Sequence, residues 1–389
     1  MIHMLKKVSA EILSAYSNLP SYAKVIQYPS GNAAFSILLD KSFLDSKCDS
    51  VRFPDLTSHK GVNLVLLPIW MMFLRRRGVH IINIHWLTGP WQPPSIDSRN
   101  KRIVLWIYFV IWVNSMKMLG LRIVYTIHDH EPHSKIFNND KRAIDFLVCK
   151  SDGVIFLNEE SEKVFSDRLG GQLCTVISEG AIFHPTSKSK EETRNLLKVP
   201  IRNKLLVLVG TLQEYKGIDL IFSKISKLPS DVSIRIAGTA PLEYRKVIED
   251  LKVISDRKKL DIDIRFDFLS EEEFGDYLEA ADYFLYPCRL INNSGSLNAA
   301  LSHGLPVIVP GMPELSWVPE NCKICINGES PEFYDIESAI ESLNHITADS
   351  YEEFSSNATS FSNERSWPKV VDKYIKFYEE ISRIPNSKK

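Results

Sequence analysis

The chain has almost no net charge: 47 lysines and arginines face 48 aspartates and glutamates, a formal charge of -1 over 389 residues. A polyanion binder carries a basic excess, so the overall balance argues against nucleic acid as a partner. Long apolar runs are missing as well. The longest, Ile103 to Val113, is about half of what a bilayer-spanning helix needs. Met1 to Lys7 lead into Ser, Ala and Glu rather than an apolar signal core, so a cytoplasmic location is expected. Cysteine is sparse and scattered, at Cys48, Cys149, Cys174, Cys288, Cys322 and Cys325. Only Cys322 and Cys325 have C-x-x-C spacing. No second Cys or His pair follows, which argues against a zinc or redox centre and for buried free thiols in a reducing compartment. Solenoid repeats and low-complexity tracts are absent.

What is present is ordinary globular usage, 44% hydrophobic and 24% charged, in a chain long enough for two cores. Short apolar strands alternate with longer helical stretches, the pattern of parallel sheets covered by helices. Strands are expected at 24–28, 81–85, 122–127 and 153–157, then at 205–209, 233–237, 262–266, 283–286 and 306–309. Between the two sets lies Pro185 to Thr193, polar and without a strand. The boundary is placed there, giving Rossmann-like lobes at 1–185 and 201–365, a linker at 186–200 and a last helix at 366–389. In such sheets ligands sit beyond the carboxyl ends of the strands.

In the second half, the strand 205–209 runs into Gly210-Thr211 and then Gln213-Glu214-Tyr215-Lys216-Gly217 before a helix. A glycine at a strand exit brings backbone N–H groups close to a ligand, and Lys216 adds a cation where a helix start already favours anions. After strand 283–286 come Arg289 and Asn292-Asn293-Ser294-Gly295-Ser296, then a helix ending at Gly304. Ser294 is a natural N-cap, and free amides at Gly295, Ser296 and Leu297 would face the ligand. Arg289 offers a planar fork for phosphate, or else sits in a surface salt bridge. Gly238, after strand 233–237, reads equally as a tight turn or as a ligand approach. Three such loops in one lobe describe a nucleotide-diphosphate site.

The stretch Val209 to Gly217 resembles the glycine–lysine loop of glycosyltransferase family 4. Leu278 to Phe284, His303-Gly304-Leu305-Pro306-Val307-Ile308 and Pro313-Glu314-Leu315 are similar to further segments of that family, and Trp367 to Tyr378 resembles its returning terminal helix. The resemblance implies a GT-B architecture, two Rossmann-like lobes facing a cleft, with the last helix crossing back to the first. It implies a hexosyltransferase-type enzyme of class EC 2.4, which uses a UDP- or GDP-linked sugar and needs no metal or other cofactor. Glu314 is implied on the donor side. The chain departs from the family at Thr211, where many members carry arginine, and at Ile291 and Ala299, where many carry glutamates eight apart. The segment Asn292 to Ser296 is instead similar to a Ser-Gly-Ser variant of polysaccharide-assembly transferases, so no stereochemical outcome carries over.

In the first half, Gly31 and Asn32 resemble an acceptor loop, and His85 follows a strand, where a satisfied, half-buried histidine is the competing reading. Thr126-Ile127-His128-Asp129 resembles a "T-x-H-(D/N)" segment. This implies contact of His128 with donor sugar and phosphate. Asp129 and Glu131 are the leading groups to take the acceptor hydroxyl's proton, with turn formation the alternative for Asp129. The histidines of 126–133 lack the spacing of a zinc helix, so no metal is expected.

Trp70 and Phe73 precede Arg75-Arg76-Arg77, and Trp106 and Phe109 follow Lys101-Arg102. Aromatic surface beside basic residues suits an anionic bilayer, although ordinary buried helices fit the same pattern. The expectation is a peripheral protein on the inner face of the cytoplasmic membrane, adding a sugar to a lipid-linked saccharide in surface-polysaccharide synthesis. Two alternatives remain on the same scaffold: a nucleotide-sugar epimerase and a catalytically silent scaffold subunit.

Overall fold

In the computed structural model, residues 24–28, 34–46, 50–52, 71–87, 99–130 and 135–385 are described. They form two compact units: residues up to Gly180 together with those from Trp367 onward, and Ala181–Ser366.

The first unit is built on β1 (Val25–Tyr28), α1 (Ala34–Asp45), β2 (Ser50–Arg52), β3 (Ile81–Ile84), α2 (Arg99–Met118), β4 (Arg122–Ile127), α3 (Asp140–Lys150), β5 (Gly153–Phe156), α4 (Glu159–Phe165) and β6 (Leu173–Val176). The strands form one parallel sheet in the order β2-β1-β3-β4-β5-β6. Its central strands are apolar on both faces, as a sheet covered on both sides requires. Alternate residues pack on one side against Phe109, Trp112 and Met116 of α2 and on the other against Phe35, Leu39 and Phe43 of α1.

The second unit begins with α5 (Lys190–Leu196), then β7 (Lys204–Val209), α6 (Ile218–Lys224), β8 (Val232–Ala237), α7 (Leu242–Arg257), β9 (Ile262–Arg265), α8 (Glu271–Ala280), β10 (Tyr283–Leu285), α9 (Gly295–Ser302), β11 (Val307–Pro310), β12 (Lys323–Ile326), α10 (Ile336–Glu341) and α11 (Ala348–Glu364). Its parallel strands run β12-β11-β10-β7-β8-β9. This is the dinucleotide-fold order, which reverses between β7 and β10. The loops leaving those two strands flank the crevice where such sheets bind ligands.

The final helix, α12 (Trp367–Arg383), packs on the first unit. Its buried residues Trp367, Val370, Val371, Tyr374, Phe377, Tyr378 and Ile381 recur at three and four, one stripe of an amphipathic helix. Gly153 admits it closely: a Cβ there would lie 2.5 Å from Ile381 Cδ1.

The boundary differs from the expectation at 185. The chain passes between units at Gly180–Ala181, and 186–200 is not a linker but an integral part of the second unit. Ser189 caps α5 through a reciprocal bond with Glu192, and the buried Arg194 guanidinium donates to the carbonyls of Ala280, Ile201 and Asn203. A polar sequence here reflects a capped helix tied down by one arginine.

The proposed membrane segments are also revised. Phe109 is fully buried, and Trp106 packs on Phe109, Phe137 and Phe146 with Arg142 over its ring. Phe73 packs against the same core, and Arg75 donates to Leu119 O, capping the turn after α2. Trp70 lies outside the described residues. The exposed face of α2 is instead a different apolar set, Ile103, Val104, Ile107, Ile111 and Met118. Among the described residues no helix is long and apolar enough to cross a membrane.

Candidate active site

At the switch point of the second sheet, three chain segments lock together. Gly217 adopts a left-handed φ of +69°, and a Cβ there would meet Pro287 O at 2.1 Å. Arg289 N donates to Tyr215 O at 2.7 Å, joining the loop after β7 to the loop after β10. This lacing holds Lys216 with only 4% of its surface exposed. Its Nζ donates to Ser296 Oγ at 3.1 Å and lies 5.9 Å from the Tyr286 ring centre. No carboxylate among the described residues reaches it. Burial alone therefore acts on the ammonium and lowers its pKa to about 8.

Ser294 caps α9 by accepting from Leu297 N. The backbone amides of Gly295 and of Ser296, whose hydroxyl Lys216 Nζ reaches, have no partner among the described residues. The start of α9 with two N–H groups unpaired among the described residues, the Ser296 hydroxyl and an uncompensated buried cation thus lie together. That arrangement favours an anion with several oxygens.

Arg289 does not join this set. Its two terminal nitrogens reach Asp219 at 2.7 and 2.5 Å, and Nη1 also donates to Glu214 O at 2.8 Å. Tyr244 donates to the same carboxylate at 2.8 Å. Burial works against ionisation of Asp219, but the bonds from Arg289 and Tyr244 outweigh it and hold the carboxyl below its ordinary pKa. The guanidinium's role here is to brace the loop after β7.

In the first unit, the ends of β3 and β4 carry a buried polar chain. His85 Nδ1 lies 3.1 Å from His128 Nε2, and His85 Nε2 lies 2.8 Å from Gln27 Oε1. Asn83 and Gln27 both donate to the Tyr378 hydroxyl, at 2.8 and 3.1 Å, and Thr126 donates to Asn83 Oδ1 at 2.9 Å. His128 stacks on Trp86, centroids 4.3 Å apart, with Phe35 edge-on at 4.6 Å. Burial lowers His85 to a pKa of about 3 and His128 well below its ordinary value, so both rings are neutral. Asp129 is half-buried beside them and, after burial itself, helps raise the pKa of Tyr125.

Residues 203–342 match the family described as Glycosyl transferases group 1. The chain is a glycosyltransferase of the GT-B fold. HepE of Anabaena, solved with UDP, shares 13% identity at a TM-score of 0.67, over 92% of this chain and 99% of its own. Its complex with UDP-glucose gives 14% identity, the same coverage and a TM-score of 0.63. A glycosyltransferase of Rickettsia africae is similar at 13% identity and a TM-score of 0.67, over 93% and 99%. Sucrose-phosphate synthase of Thermosynechococcus elongatus is similar at 13% and 0.64, over 94% and 97%. No curated protein sequence matches the chain.

Within this glycosyltransferase, Gly210, Lys216, Ser294, Gly295 and Ser296 are brought together. A Cβ on Gly210 would sit 2.6 Å from Ser296 Oγ and 3.3 Å from Lys216 Nζ. Its own amide is spent on Ala237 O, however, and Leu297 N on Ser294, so the loop presents fewer free amides than the sequence suggested. At Gly238 a Cβ would collide with Gly210 O at 1.6 Å, so the absence of a side chain there lets two strand exits touch. Thr211 is exposed at the loop's rim. Glu314 is half-buried in a short turn and acts electrostatically on the Cys288 thiol. The family's glutamate positions are filled by buried Ile291 and Ala299. Gly31, Asn32 and Glu131 lie outside the described residues. Sequence reasoning missed Gln27, Asn83, Thr126 and Tyr378. Asn83, a polar residue inside the strand Ile-Ile-Asn-Ile, was the one available signal.

Proposed function

We propose that this glycosyltransferase takes a sugar from a UDP- or GDP-linked donor bound at the second unit and passes it to a lipid-linked saccharide in surface-polysaccharide assembly. The observation that carries the donor half is the buried, uncompensated Lys216 ammonium beside Ser296 Oγ and the start of α9. A diphosphate supplies the missing negative charge and accepts from the free amides. The same groups would stabilise the diphosphate as it leaves, so fixed donors stand where a divalent ion would otherwise serve. That HepE is described with UDP and UDP-glucose supports this reading.

On the acceptor side, His128 is proposed to contact donor sugar and phosphate as a neutral hydrogen-bonding ring. Asp129 or Glu131 takes the hydroxyl proton if transfer inverts. Membrane attachment is proposed through the exposed apolar stripe of α2. Ile103, Val104, Ile107, Ile111 and Met118 recur on one helix face, and Arg99 and Lys101 stand exposed at its first turn. An apolar stripe with basic neighbours fits an anionic bilayer.

The decisive experiment is calorimetry with a nucleotide and nucleotide-sugar panel, followed by turnover with and without a lipid-linked acceptor. Binding of a nucleoside diphosphate sugar, with transfer that survives EDTA, is expected. No nucleotide binding would assign the chain to a silent scaffold, and donor conversion without acceptor would assign it to an epimerase. Turnover abolished by EDTA and restored by magnesium would overturn the metal-free part.

A further inference from the structure

The charged groups packed around Lys216 are engaged elsewhere or turned away from it. Asp219 of α6 is held by both terminal nitrogens of Arg289 and by Tyr244, and Glu214 is exposed. Glu314 acts on Cys288, whose buried thiol is pushed upward, first by burial, and stays uncharged. Burial is the one influence that registers on the ammonium. What lies against it, besides Ser296 Oγ, is the ring of Tyr286 at the exit of β10, its centre 5.9 Å from Nζ. Tyr286 is completely buried. Its backbone is fixed on both sides: N donates to Ile308 O at 2.8 Å, and O accepts from Cys288 N at 2.9 Å. Its hydroxyl has no hydrogen-bond partner among the described residues. Burial, then Cys288 and Tyr215, push the phenol far up against the opposing effect of the nearby Ser294 hydroxyl. The phenol is therefore neutral and supplies no counter-charge. Its ring face remains, and that face is the negative side of the aromatic quadrupole.

We propose that Tyr286 is a positioning residue for Lys216, its ring face keeping the buried ammonium charged and beside Ser296 Oγ until the donor's diphosphate arrives. A desolvated cation is held more firmly on such a face than an exposed one. A carboxylate in the same place would also keep the lysine charged, but it would repel the incoming diphosphate. A ring has no net charge to oppose the anion. The hydroxyl bonds to nothing among the described residues, so the role belongs to the ring, and phenylalanine should serve as well. The inference rests on the proposed role of Lys216 at the diphosphate.

Tyr286→Leu removes the face and Tyr286→Phe keeps it. Mono-, di- and trifluorinated phenylalanine placed at the same position drain the face in steps at nearly constant shape. Two quantities are read: the titration of Lys216 in the ligand-free protein, by NMR of lysine-labelled chain assigned with Lys216→Met, and the affinities for UDP and uridine by calorimetry. In Tyr286→Leu the Lys216 midpoint should lie about one pH unit below the wild-type value of about 8. UDP affinity should then fall about fivefold near pH 8 and hardly at all near pH 6, where the ammonium is charged in either protein. Uridine affinity should not change. Tyr286→Phe should keep the wild-type midpoint, and the fluorinated series should lower it progressively. A loss of UDP affinity equal at both pH values would leave Tyr286 a structural role only and overturn the proposal. A midpoint that stays constant through the fluorinated series, or one that drops in Tyr286→Phe, would overturn it too. Should Tyr286→Leu not fold, the fluorinated series decides by itself. Wild type that binds neither UDP nor GDP would sink the donor assignment, while the titration of the ligand-free protein still decides whether Tyr286 holds Lys216 charged.

Discussion

The Lys216 ammonium lies 3.1 Å from the Ser296 hydroxyl, and no carboxylate among the described residues balances it. A buried cation without a counter-charge destabilises the empty protein and becomes favourable once an anion arrives. Lys216→Met should therefore weaken nucleotide-diphosphate binding by about 10- to 100-fold, leave nucleoside binding unchanged, and raise the melting temperature of the unliganded chain. Calorimetry and thermal unfolding check this together. A variant that loses affinity for nucleoside and diphosphate alike would show that Lys216 does not meet phosphate.

The same burial gives a pH signature. Lys216 has its folded pKa lowered to about 8 from 10.5. Between those values the unfolded chain holds the proton and the folded one does not, so this group's contribution to stability rises as pH climbs from about 8 to 10.5. A bound diphosphate pulls the folded pKa back up. Binding near pH 8.5 should then take up a proton, visible as a dependence of the binding enthalpy on the buffer's ionisation heat. The dependence should vanish in Lys216→Met.

Arg289→Ala should act on stability before it acts on phosphate. It leaves the Asp219 carboxylate without its two-pronged partner and removes a donor from Glu214 O, a cost of about 1–3 kcal/mol. Denaturant unfolding measures it. Double replacement with Asp219→Asn should recover part of that loss, and Arg289→Lys, lacking the planar fork, should recover less.

Attachment through α2 predicts that Ile107→Ser with Ile111→Ser releases the protein from anionic liposomes. Both side chains are about half exposed, at 53%, so the fold should be unaffected. Salt should weaken sedimentation of the wild type, because each basic residue near an anionic surface contributes ~1 kcal/mol that is screened. A wild type that stays in solution at low salt would refute the membrane reading. Arg75 is unsuitable for this test because its side chain caps the turn after α2.

The strand pattern was legible wherever strands are central. The strands expected at 122–127 and 153–157 appear at Arg122–Ile127 and Gly153–Phe156, because a doubly covered strand must be apolar throughout. The strands missed were β2, β6 and β12, all at sheet edges. Residues of β6 and β12 are largely exposed or half-exposed, so no continuous apolar run marks them. The loop glycines and the Ser294 cap were readable because backbone sterics and capping act over a few residues.

What the sequence by itself determined was local: which segments become buried strands, where helices start, and which loops follow strand ends. Only the tertiary structure decided partnership, because partners distant in sequence leave no periodic trace. Arg289 finds Asp219 seventy residues away rather than an open site. Lys216 is left without a counter-charge because Ser296, eighty residues on, brings only a hydroxyl. Tyr378 reaches Gln27 across 351 residues because α12 supplies the apolar stripe that closes the first sheet's second face. Packing of that stripe, not any motif, places its hydroxyl behind the histidines.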